Sequence, residues 1–322
     1  MMKTRKGLFL LLAALPMLSA CSINKMVMNK VSDALTGSGS SDVFTGDADP
    51  QLVGDAIPFA IKMYESLLSQ NPNHQGLLLT TGSLFVMYAN AFVQGPADMM
   101  GLDQFDQREA AKVRAKNLYI RGTEILYRGL DNKYPGDKKT PKFSEATVEA
   151  GTLDPILKKM KKDDVAFLYW AVAGGLSSYA IDVFDFALGV RIPEMAAMIA
   201  RAYELDPDFN NGALDEFYIL FYSSLPEMLG GNKELAEVHY KKALEKTKGQ
   251  SAGTYVSYAQ SVCVPAQDYE TFKINLEKAL AVDVDADPSN RLVNIINQRK
   301  ARYMLDEAYN YFSFLEYDDW DE

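Results

Sequence analysis

Helical spacing of the apolar residues is the feature that most limits the folds open to this chain of 322 residues. From Pro50 onward, apolar side chains recur every three or four residues, and the alternation that marks β-strands is nearly absent. Several of these runs end at Asn-Pro or Asp-Pro, as at Asn71-Pro72 and Asp206-Pro207. Because proline cannot continue a helix, these pairs mark helix ends. The sequence therefore predicts an all-α fold.

Three of the predicted helices finish with a similar phrase, which indicates a weak internal repeat. The phrases are YESLLSQNP (64–72), ARAYELDP (200–207) and LEKALAVDVDADP (276–288). Such an ending is typical of the second helix of a tetratricopeptide repeat, whose period is roughly 34 residues. The stops at 72, 207, 249 and 288 are unevenly spaced, and only the last two intervals approach that period. We predict tetratricopeptide-like hairpins stacked as an α-solenoid or bundle, divergent in the N-terminal half. An irregular helical bundle with proline stops is the alternative.

The N-terminus has the pattern of an export signal. Lys3, Arg5 and Lys6 lead into the apolar run 7–18, and the small pair Ser19-Ala20 stands before Cys21. A cysteine at this point resembles the bacterial lipobox, in which the thiol is acylated and the cysteine becomes the first mature residue. We predict a signal peptide over 1–20 and lipidation, palmitate included, at Cys21. An ordinary signal or a short membrane anchor is the alternative. Ser22, in place of an aspartate, favours the outer membrane.

Composition divides the rest of the chain into a tether and one large helical domain. Ser32–Asp49 is rich in Gly, Ser and Asp, which is typical of a flexible segment. We therefore predict a lipidated N-terminus and flexible tether over 21–49. The helical domain follows over 50–322 and ends in the acidic tail Glu316–Glu322.

Charge and residue types exclude several classes of function. The net charge is −10, which argues against nucleic acid as a partner because phosphate binding needs clustered Lys and Arg. His74 and His239 are the only histidines, and HExxH, GxSxG and CxxC are absent. With Cys21 lipidated, Cys263 has no partner for an intrachain disulfide. We predict no catalytic residues, no metal and no cofactor.

Two groups of carboxylates leave a binding role open. Asp182 and Asp185 lie one helical turn apart and could bind a ligand or a metal, or be solvated or capping residues. The aspartates 283, 285 and 287 alternate as at the start of a calcium loop. However, Pro288 and Asn294 occupy the positions where an EF-hand needs Gly and Glu. We expect Asp287 or Ser289 to cap the next helix, and cation binding by Asp283, Asp285 and Asp287 stays the alternative.

Two uncharged apolar segments exceed what an amphipathic helix needs. They are Leu77–Gln94 and Val165–Ile181. A helix that is apolar on every side is usually a central core helix. The alternative is that one side lines an apolar channel. The candidate channel-lining residues are Phe85, Tyr88, Phe92, Tyr169 and Trp170.

The chain from about residue 50 to 315 resembles the TRAP transporter T-component family. The most specific stretch is LFVMYANAFVQGPA (84–97), within the longer match Asp55–Ala97. Further matching pieces are Leu168-Tyr169-Trp170, AYELDP (202–207), Leu225-Pro226, Gly230-Gly231-Asn232, Tyr258-Ala259, Arg291-Leu292, Asn294 and Gln298-Arg299-Lys300-Ala301. One departure concerns the channel: Gly174-Gly175 stand where many relatives carry a second tryptophan.

The resemblance implies a periplasm-facing lipoprotein that is an accessory protein of a tripartite ATP-independent periplasmic transporter. It would bind the substrate-binding P-component and form ring-like homo-oligomers, which are trimers by resemblance to the family. An apolar channel through each subunit would pass a hydrophobic or organic-acid ligand. The alternative function is a periplasmic tetratricopeptide-like scaffold at the outer membrane, which binds a protein on its concave surface. A continuous apolar tunnel would distinguish the first function from the second.

Overall fold

The structure, a computed structural model, describes residues 28–37 and 42–315. Within these ranges the regular structure is helical and no strand occurs, which confirms the all-α prediction. The stacking of the helices as a tetratricopeptide-like solenoid stays a prediction. The signal peptide over 1–20, the lipidation site Cys21 and the acidic tail lie outside the described residues.

Most of the described chain lies in helices joined by short connections. The longer helices from Pro50 onward are α1 (Pro50–Gln70), α2 (Gln75–Tyr88), α3 (Phe105–Lys133), α4 (Val165–Ile181), α5 (Ile192–Leu205), α6 (Ala213–Ser224), α7 (Lys233–Thr247), α8 (Ala252–Tyr258), α9 (Tyr269–Leu280) and α10 (Arg291–Asp306). Short helical segments are Asp42–Thr45, Gly95–Asp98, Asp154–Leu157, Phe186–Gly189 and Val264–Ala266. Single 3₁₀ turns are Leu102–Gln104, Phe143–Glu145, Lys162–Asp164, Phe209–Gly212, Glu227–Leu229, Pro288–Asn290 and Ala308–Asn310.

Local sequence fixes many of the helix ends. Asp49 caps α1, since its side chain accepts hydrogen bonds from the N–H groups of Gln51 and Leu52. Helix α1 ends at Gln70, directly before the predicted Asn-Pro stop, and α5 ends at Leu205 before Asp206-Pro207. Asp287 caps the turn before α10, as predicted, by accepting the N–H of Ser289 at 3.1 Å.

Two helices contain a π-helical turn directly before a proline. Helix α2 continues through the π turn Ala89–Gln94, and α8 continues through Ala259–Cys263. In each, the residue before the proline donates its N–H five residues back: Gly95 to the Asn90 carbonyl, and Val264 to the Ala259 carbonyl. Because the wider π turn shifts the hydrogen-bond register, it accommodates a ring that has no N–H and would clash in an α-helix.

The buried apolar residues form two cores. The first contains residues of α1 to α5 with Leu214, Tyr218 and Phe221 of α6. The second contains residues of α7 to α9 with Ile219 of α6 and Phe312. Helix α10 belongs to both, because Leu292 lies in the first core and Met304 in the second. We call the boundary between the two cores the seam.

The two uncharged segments pack closely in the first core. Helices α2, α3 and α4 lie side by side. A Cβ added at Gly82 would lie 2.5 Å from Leu126 Cγ, and one at Gly174 would lie 2.5 Å from Thr123 Oγ1 and 2.9 Å from Val86 Cγ2. Gly174 therefore has no space for a side chain in this packing.

One helix of the described chain, Gln75–Asp98, is long and apolar enough to cross a membrane by length and composition. Half of its most apolar window is buried inside the protein. Because a core helix passes the same test, this observation is a weak indication of a membrane span.

Residues that carry the family resemblance hold helix ends together around α10. Asn294 is fully buried; its Oδ1 accepts the Ala252 N–H at 2.9 Å and its Nδ2 donates to the Gln250 carbonyl at 3.1 Å. Gln298 Nε2 lies 2.8 Å from the Val282 carbonyl and 3.2 Å from those of Ala279 and Leu280. These side chains satisfy backbone groups that a helix end leaves unpaired.

Part of the segment with a tether-like composition is helical. Residues 28–36 form a helix against the end of α1. The Tyr64 hydroxyl donates to the Leu35 carbonyl at 2.9 Å, and His74 Nε2 lies 3.0 Å from Asp33 Oδ1. Leu35 also packs on the first core, and this apolar contact favours order over a freely moving chain.

Candidate functional site

The predicted channel residues fall into two groups on different helices. Phe85, Tyr88 and Phe92 lie on α2 and its π turn, where the Tyr88 and Phe92 rings are 6.0 Å apart. The guanidinium of Arg121 lies 4.8 Å from the Phe85 ring centre, and that of Arg114 lies 5.6 Å from the Tyr88 ring centre. Phe85 is only 2% exposed, whereas Tyr88 and Phe92 are half-buried. Phe92 on the π turn is therefore partly accessible, whereas Phe85 on α2 is buried beneath the surface.

The second group lies on α4 and faces the seam. The Tyr169 ring is 5.2 Å from the Trp170 ring and 5.3 Å from the Phe209 ring. Burial raises the pKa of Tyr169, and the Glu216 carboxylate raises it further. Yet both Tyr169 and Trp170 keep accessible surface. Tyr169 and Trp170 are therefore half-buried aromatic residues, and Tyr169 lies within electrostatic range of Glu216.

Glu216 on α6 is a carboxylate with one oxygen satisfied. Its Oε1 accepts hydrogen bonds from the hydroxyl groups of Thr254 and, at 2.6 Å, Ser251. Ser251 is also the N-cap of α8. Burial raises the pKa of Glu216, while the two hydroxyl groups oppose that rise. Among the residues that the structure describes, nothing hydrogen-bonds to Oε2.

Gly253 lies close to both Glu216 and α10. A Cβ added at Gly253 would lie 3.3 Å from Asn297 Nδ2 and 3.6 Å from Glu216 Oε2. Asn297 Nδ2 donates to the Val293 carbonyl at 2.9 Å. We call the group Tyr169, Trp170, Glu216, Gly253 and Asn297 the seam cluster.

Asp98 and Lys300 are a second pair of opposite charges, and they influence each other without forming an ion pair. Burial raises the pKa of Asp98, whereas the nearby cations Lys300, Lys112 and Arg108 lower it. Burial lowers the pKa of Lys300, and the Asp98 carboxylate opposes this effect. Within the described ranges, Lys300 has no ion pair or hydrogen bond. The seam therefore holds desolvated polar groups with unused hydrogen-bonding capacity.

The acidic groups singled out in the sequence have protein partners. Lys116 Nζ lies 2.8 Å from carboxylate oxygens of both Asp182 and Asp185, and Asp185 also caps the helix Phe186–Gly189. Asp285 pairs with Arg291 at 2.8 Å. In the described part of the chain, no group of three or more His, Cys, Asp or Glu residues is placed to hold a metal ion.

The buried groups outside the seam are structural rather than reactive. Asp215 is fully buried between His239 Nδ1 at 2.6 Å, Lys246 Nζ at 2.7 Å and the Tyr203 hydroxyl at 3.0 Å. Burial alone would raise the pKa of Asp215, but these partners lower it. Burial raises the pKa of the Cys263 thiol to about 12, so the thiol stays protonated and unreactive at neutral pH.

Comparison with known proteins decides the family. The family model described as TRAP transporter T-component matches residues 46–312. The chain belongs to the TRAP transporter T-component family. This T-component is also similar to an uncharacterized protein of Treponema pallidum (strain Nichols), with 31% identity over 306 residues that cover 91% of this chain and 94% of the relative. Membership makes the protein an accessory component of a TRAP transporter.

Of the predicted residues, only Tyr169 and Trp170 belong to the seam cluster of this T-component. Sequence reasoning missed Glu216, Gly253 and Asn297, and also the seam charges Asp98 and Lys300. One signal was present: Asp98 directly follows Gly95-Pro96-Ala97, and Lys300 lies within the matched piece 298–301. Glu216 carried no such signal, because its setting depends on α8, more than thirty residues away in the chain.

Proposed function

We propose that this T-component is a non-catalytic accessory lipoprotein that binds the substrate-binding P-component of a TRAP transporter. In this proposal a hydrophobic or organic-acid ligand passes through an apolar channel beside the aromatic residues of α2 and α4. The seam cluster carries the proposal, because its half-buried aromatic rings and its desolvated carboxylate lie near the boundary between the two cores. Ligand sites commonly occur at such boundaries. Tyr88, Phe92, Tyr169 and Trp170 form the proposed channel walls, with Phe85 behind them.

The proposed location is the periplasmic face of the outer membrane, with acyl chains on Cys21 as the anchor. More than one acyl chain, each contributing about 0.8 kcal/mol per buried methylene group, gives stable attachment. The proposed assembly is a homo-oligomer, a trimer by analogy with the family.

An exposed apolar loop supports the binding of a protein partner. Phe184 is 93% exposed and Phe186 is 82% exposed, with Val183 and Val190 beside them. The two ion pairs of Lys116 hold this loop in place. Because soluble proteins rarely leave such a group of large apolar side chains uncovered, the loop has the character of an interaction surface.

Co-purification from membranes tests the proposed function. We expect the P-component of the same transporter to co-purify with detergent-solubilised wild-type protein. Replacing both Phe184 and Phe186 with serine should reduce the amount recovered, because it removes the exposed apolar contact. Phe59→Ser, on an equally exposed but isolated phenylalanine, is the control. A Cys21→Ser variant should move to the soluble fraction. No P-component with the wild-type protein would contradict the function and favour the scaffold alternative.

A further inference from the structure

We infer that a lysine-rich end of this protein lies against an anionic phospholipid surface, namely the membrane that holds the Cys21 anchor. The inference rests on the proposed function in taking Cys21 as the lipidated residue. It gives a role to the lysine-rich stretch after α3, which the proposed channel does not use, and it fixes which end of the molecule faces the lipid.

The positive charge of this acidic protein is concentrated in one segment. Residues 133–162 contain eight lysines and four acidic residues, a net charge of +4, whereas the whole chain carries −10. The lysines fall in two runs, 133–142 and 158–162, and we call these eight lysines the lysine face. Seven of them are exposed, and four pair with nearby carboxylates. Among the described residues, four form no ion pair, and we call them the unpaired lysines: Lys138, Lys139, Lys159 and Lys161.

The two lysine runs meet at the buried carboxylate of Asp164. Its Oδ2 accepts hydrogen bonds from the Tyr134 hydroxyl at 2.8 Å and from the Lys161 N–H at 2.9 Å, so one residue of each run contacts the same oxygen. The second run is also fixed to α5, because the Arg201 guanidinium donates to the Met160 carbonyl at 3.1 Å. The two runs therefore form one continuous positively charged surface.

The start of the described chain lies at the same end of the first core. Asn71, directly after α1, donates from Nδ2 to Asn29 Oδ1 at 2.6 Å. Gln75, the first residue of α2, donates from Nε2 to the Gly129 carbonyl at 3.3 Å. Gly129 lies near the end of α3, directly before the first lysine run. The helix 28–36 and the lysine face therefore share the end of the bundle where α1 and α3 end and α2 begins.

The chain between the anchor and this end is short. Met28 is the seventh residue after Cys21, and seven residues span at most about 25 Å. The helix 28–36 does not lengthen this connection, because it is fixed to the body. The Tyr64 hydroxyl donates to the Leu35 carbonyl at 2.9 Å, and Leu35 packs on the first core. The end that carries the lysine face is therefore the end that stays nearest to the lipid.

Phospholipid phosphate groups match this surface in charge and in mobility. Each lysine near an anionic membrane strengthens binding by about fivefold, and the effect fades within a Debye length, about 8 Å at physiological salt. A lysine ammonium group is a compact charge on a flexible stem, which suits headgroups that move in the plane of the membrane. A basic patch beside acyl chains is a known combination for stable attachment.

This orientation agrees with the proposed partner surface. Helix α4 begins at Val165, beside the lysine face, and ends at Ile181, before the exposed apolar loop that carries Phe184. A helix of 17 residues is about 25 Å long. With the lysine face on the lipid, the apolar loop lies on the side away from the membrane, where a diffusing P-component can reach it.

Chemical labelling of the intact lipoprotein tests the orientation. The full-length protein is reconstituted into vesicles of phosphatidylcholine alone or mixed with phosphatidylglycerol, and lysine acetylation is quantified by mass spectrometry. We expect the unpaired lysines to react about fivefold more slowly in the mixed vesicles. This protection should disappear at about 1 M salt, where the Debye length falls to about 3 Å. Lys233 and Lys273, exposed on α7 and α9, are internal controls and should react equally in both vesicles.

Binding of the unlipidated chain to the same vesicles measures the affinity. The Cys21→Ser variant should float with the mixed vesicles and not with pure phosphatidylcholine. Replacing the unpaired lysines with glutamine in this variant should weaken binding at least about tenfold. The matched control makes the same change in net charge at four exposed cations on α7, α9 and α10 and should weaken binding less than about threefold. Its substitutions are Lys233→Gln, Lys273→Gln, Arg299→Gln and Arg302→Gln. Thermal unfolding of each variant controls for folding.

Three results would overturn the inference. They are equal acetylation of the unpaired lysines in the two kinds of vesicle, equal loss of binding in the two fourfold variants, or no preference of Cys21→Ser for the mixed vesicles. The mass of the mature wild-type protein separates the inference from the proposed function. An unacylated Cys21 contradicts the proposed anchor, whereas vesicle binding by Cys21→Ser still decides whether the lysine face binds anionic lipid.

Discussion

At the residue scale, Asp164 shows how this protein tolerates a buried charge. Its side chain is 2% exposed and accepts hydrogen bonds from the Lys161 N–H at 2.9 Å and the Tyr134 hydroxyl at 2.8 Å, and it pairs with Lys133. Burial alone would raise the pKa of Asp164, but these donors together lower it. A folded-state pKa below the unfolded one gives stability above the unfolded pKa, and this stability is lost as the pH falls through the folded pKa.

Asp164→Asn should therefore lower the free energy of unfolding at pH 7 by about 3 kcal/mol, the usual cost of removing one partner of a buried ion pair. The difference between the variant and the wild type should shrink as the pH falls below about 4, since the wild-type carboxylate then becomes neutral as well. Urea unfolding across this pH range measures both effects. Asp154→Asn, in an exposed pair, is the control and should change stability by less than about 1 kcal/mol. A loss of stability that is the same at every pH would contradict our assignment of the effect to the charge of Asp164.

At the element scale, the destabilisation that a proline causes within a helix depends on whether a π turn precedes it. Pro265 follows the π turn Ala259–Cys263, whereas Pro58 lies inside the α-helix α1 with no such turn. Both side chains are exposed, which makes the two sites comparable. In α1, Pro58 leaves the Gly54 carbonyl without its helical N–H partner, and its ring crowds that carbonyl.

Pro58→Ala should therefore raise the free energy of unfolding by about 2 kcal/mol, after allowance for the greater freedom of the unfolded chain. Pro265→Ala should change it by less than about 1 kcal/mol, because the π turn already accommodates the ring. Chemical unfolding of the two variants measures the contrast. Equal gains in stability in the two variants would show that the π turn does not reduce the destabilisation caused by Pro265.

The helix ends were largely predictable, but the π turns were not. Asn71-Pro72, Asp206-Pro207 and the Asp287 cap act through short-range chemistry that the sequence displays. The π turns depend on where the wider backbone finds space among neighbouring helices. The two segments share a sequence pattern that is recognisable once the π turns are known. Tyr88-Ala89-Asn90 precedes Pro96-Ala97, and Tyr258-Ala259-Gln260 precedes Pro265-Ala266.

At the scale of the whole molecule, the channel proposal depends on aromatic residues from two helices of the first core. Trp170→Ala and Phe92→Ala should each weaken the binding of the neutral fluorescent probe N-phenyl-1-naphthylamine by about fivefold, since each removes part of an apolar wall. Neither should unfold the protein, because both side chains are only half-buried. Fluorescence titration measures the affinity. Phe59→Ala, an exposed phenylalanine on α1, is the control. Unchanged affinity in both variants would contradict a channel at these walls.

The all-α class, many of the helix ends and the family were predictable from the sequence, and the export signal stays a prediction. These properties depend on local spacing, caps, proline positions and short motifs, all of which act between residues close in the chain. Only the tertiary structure shows that Ser251 and Thr254 hold Glu216, that Gly253 lies close to Asn297, and that Lys300 stays unpaired among the described residues. Each of these depends on the burial of charges by helices distant in sequence, because desolvation and geometry arise only when the two cores pack together.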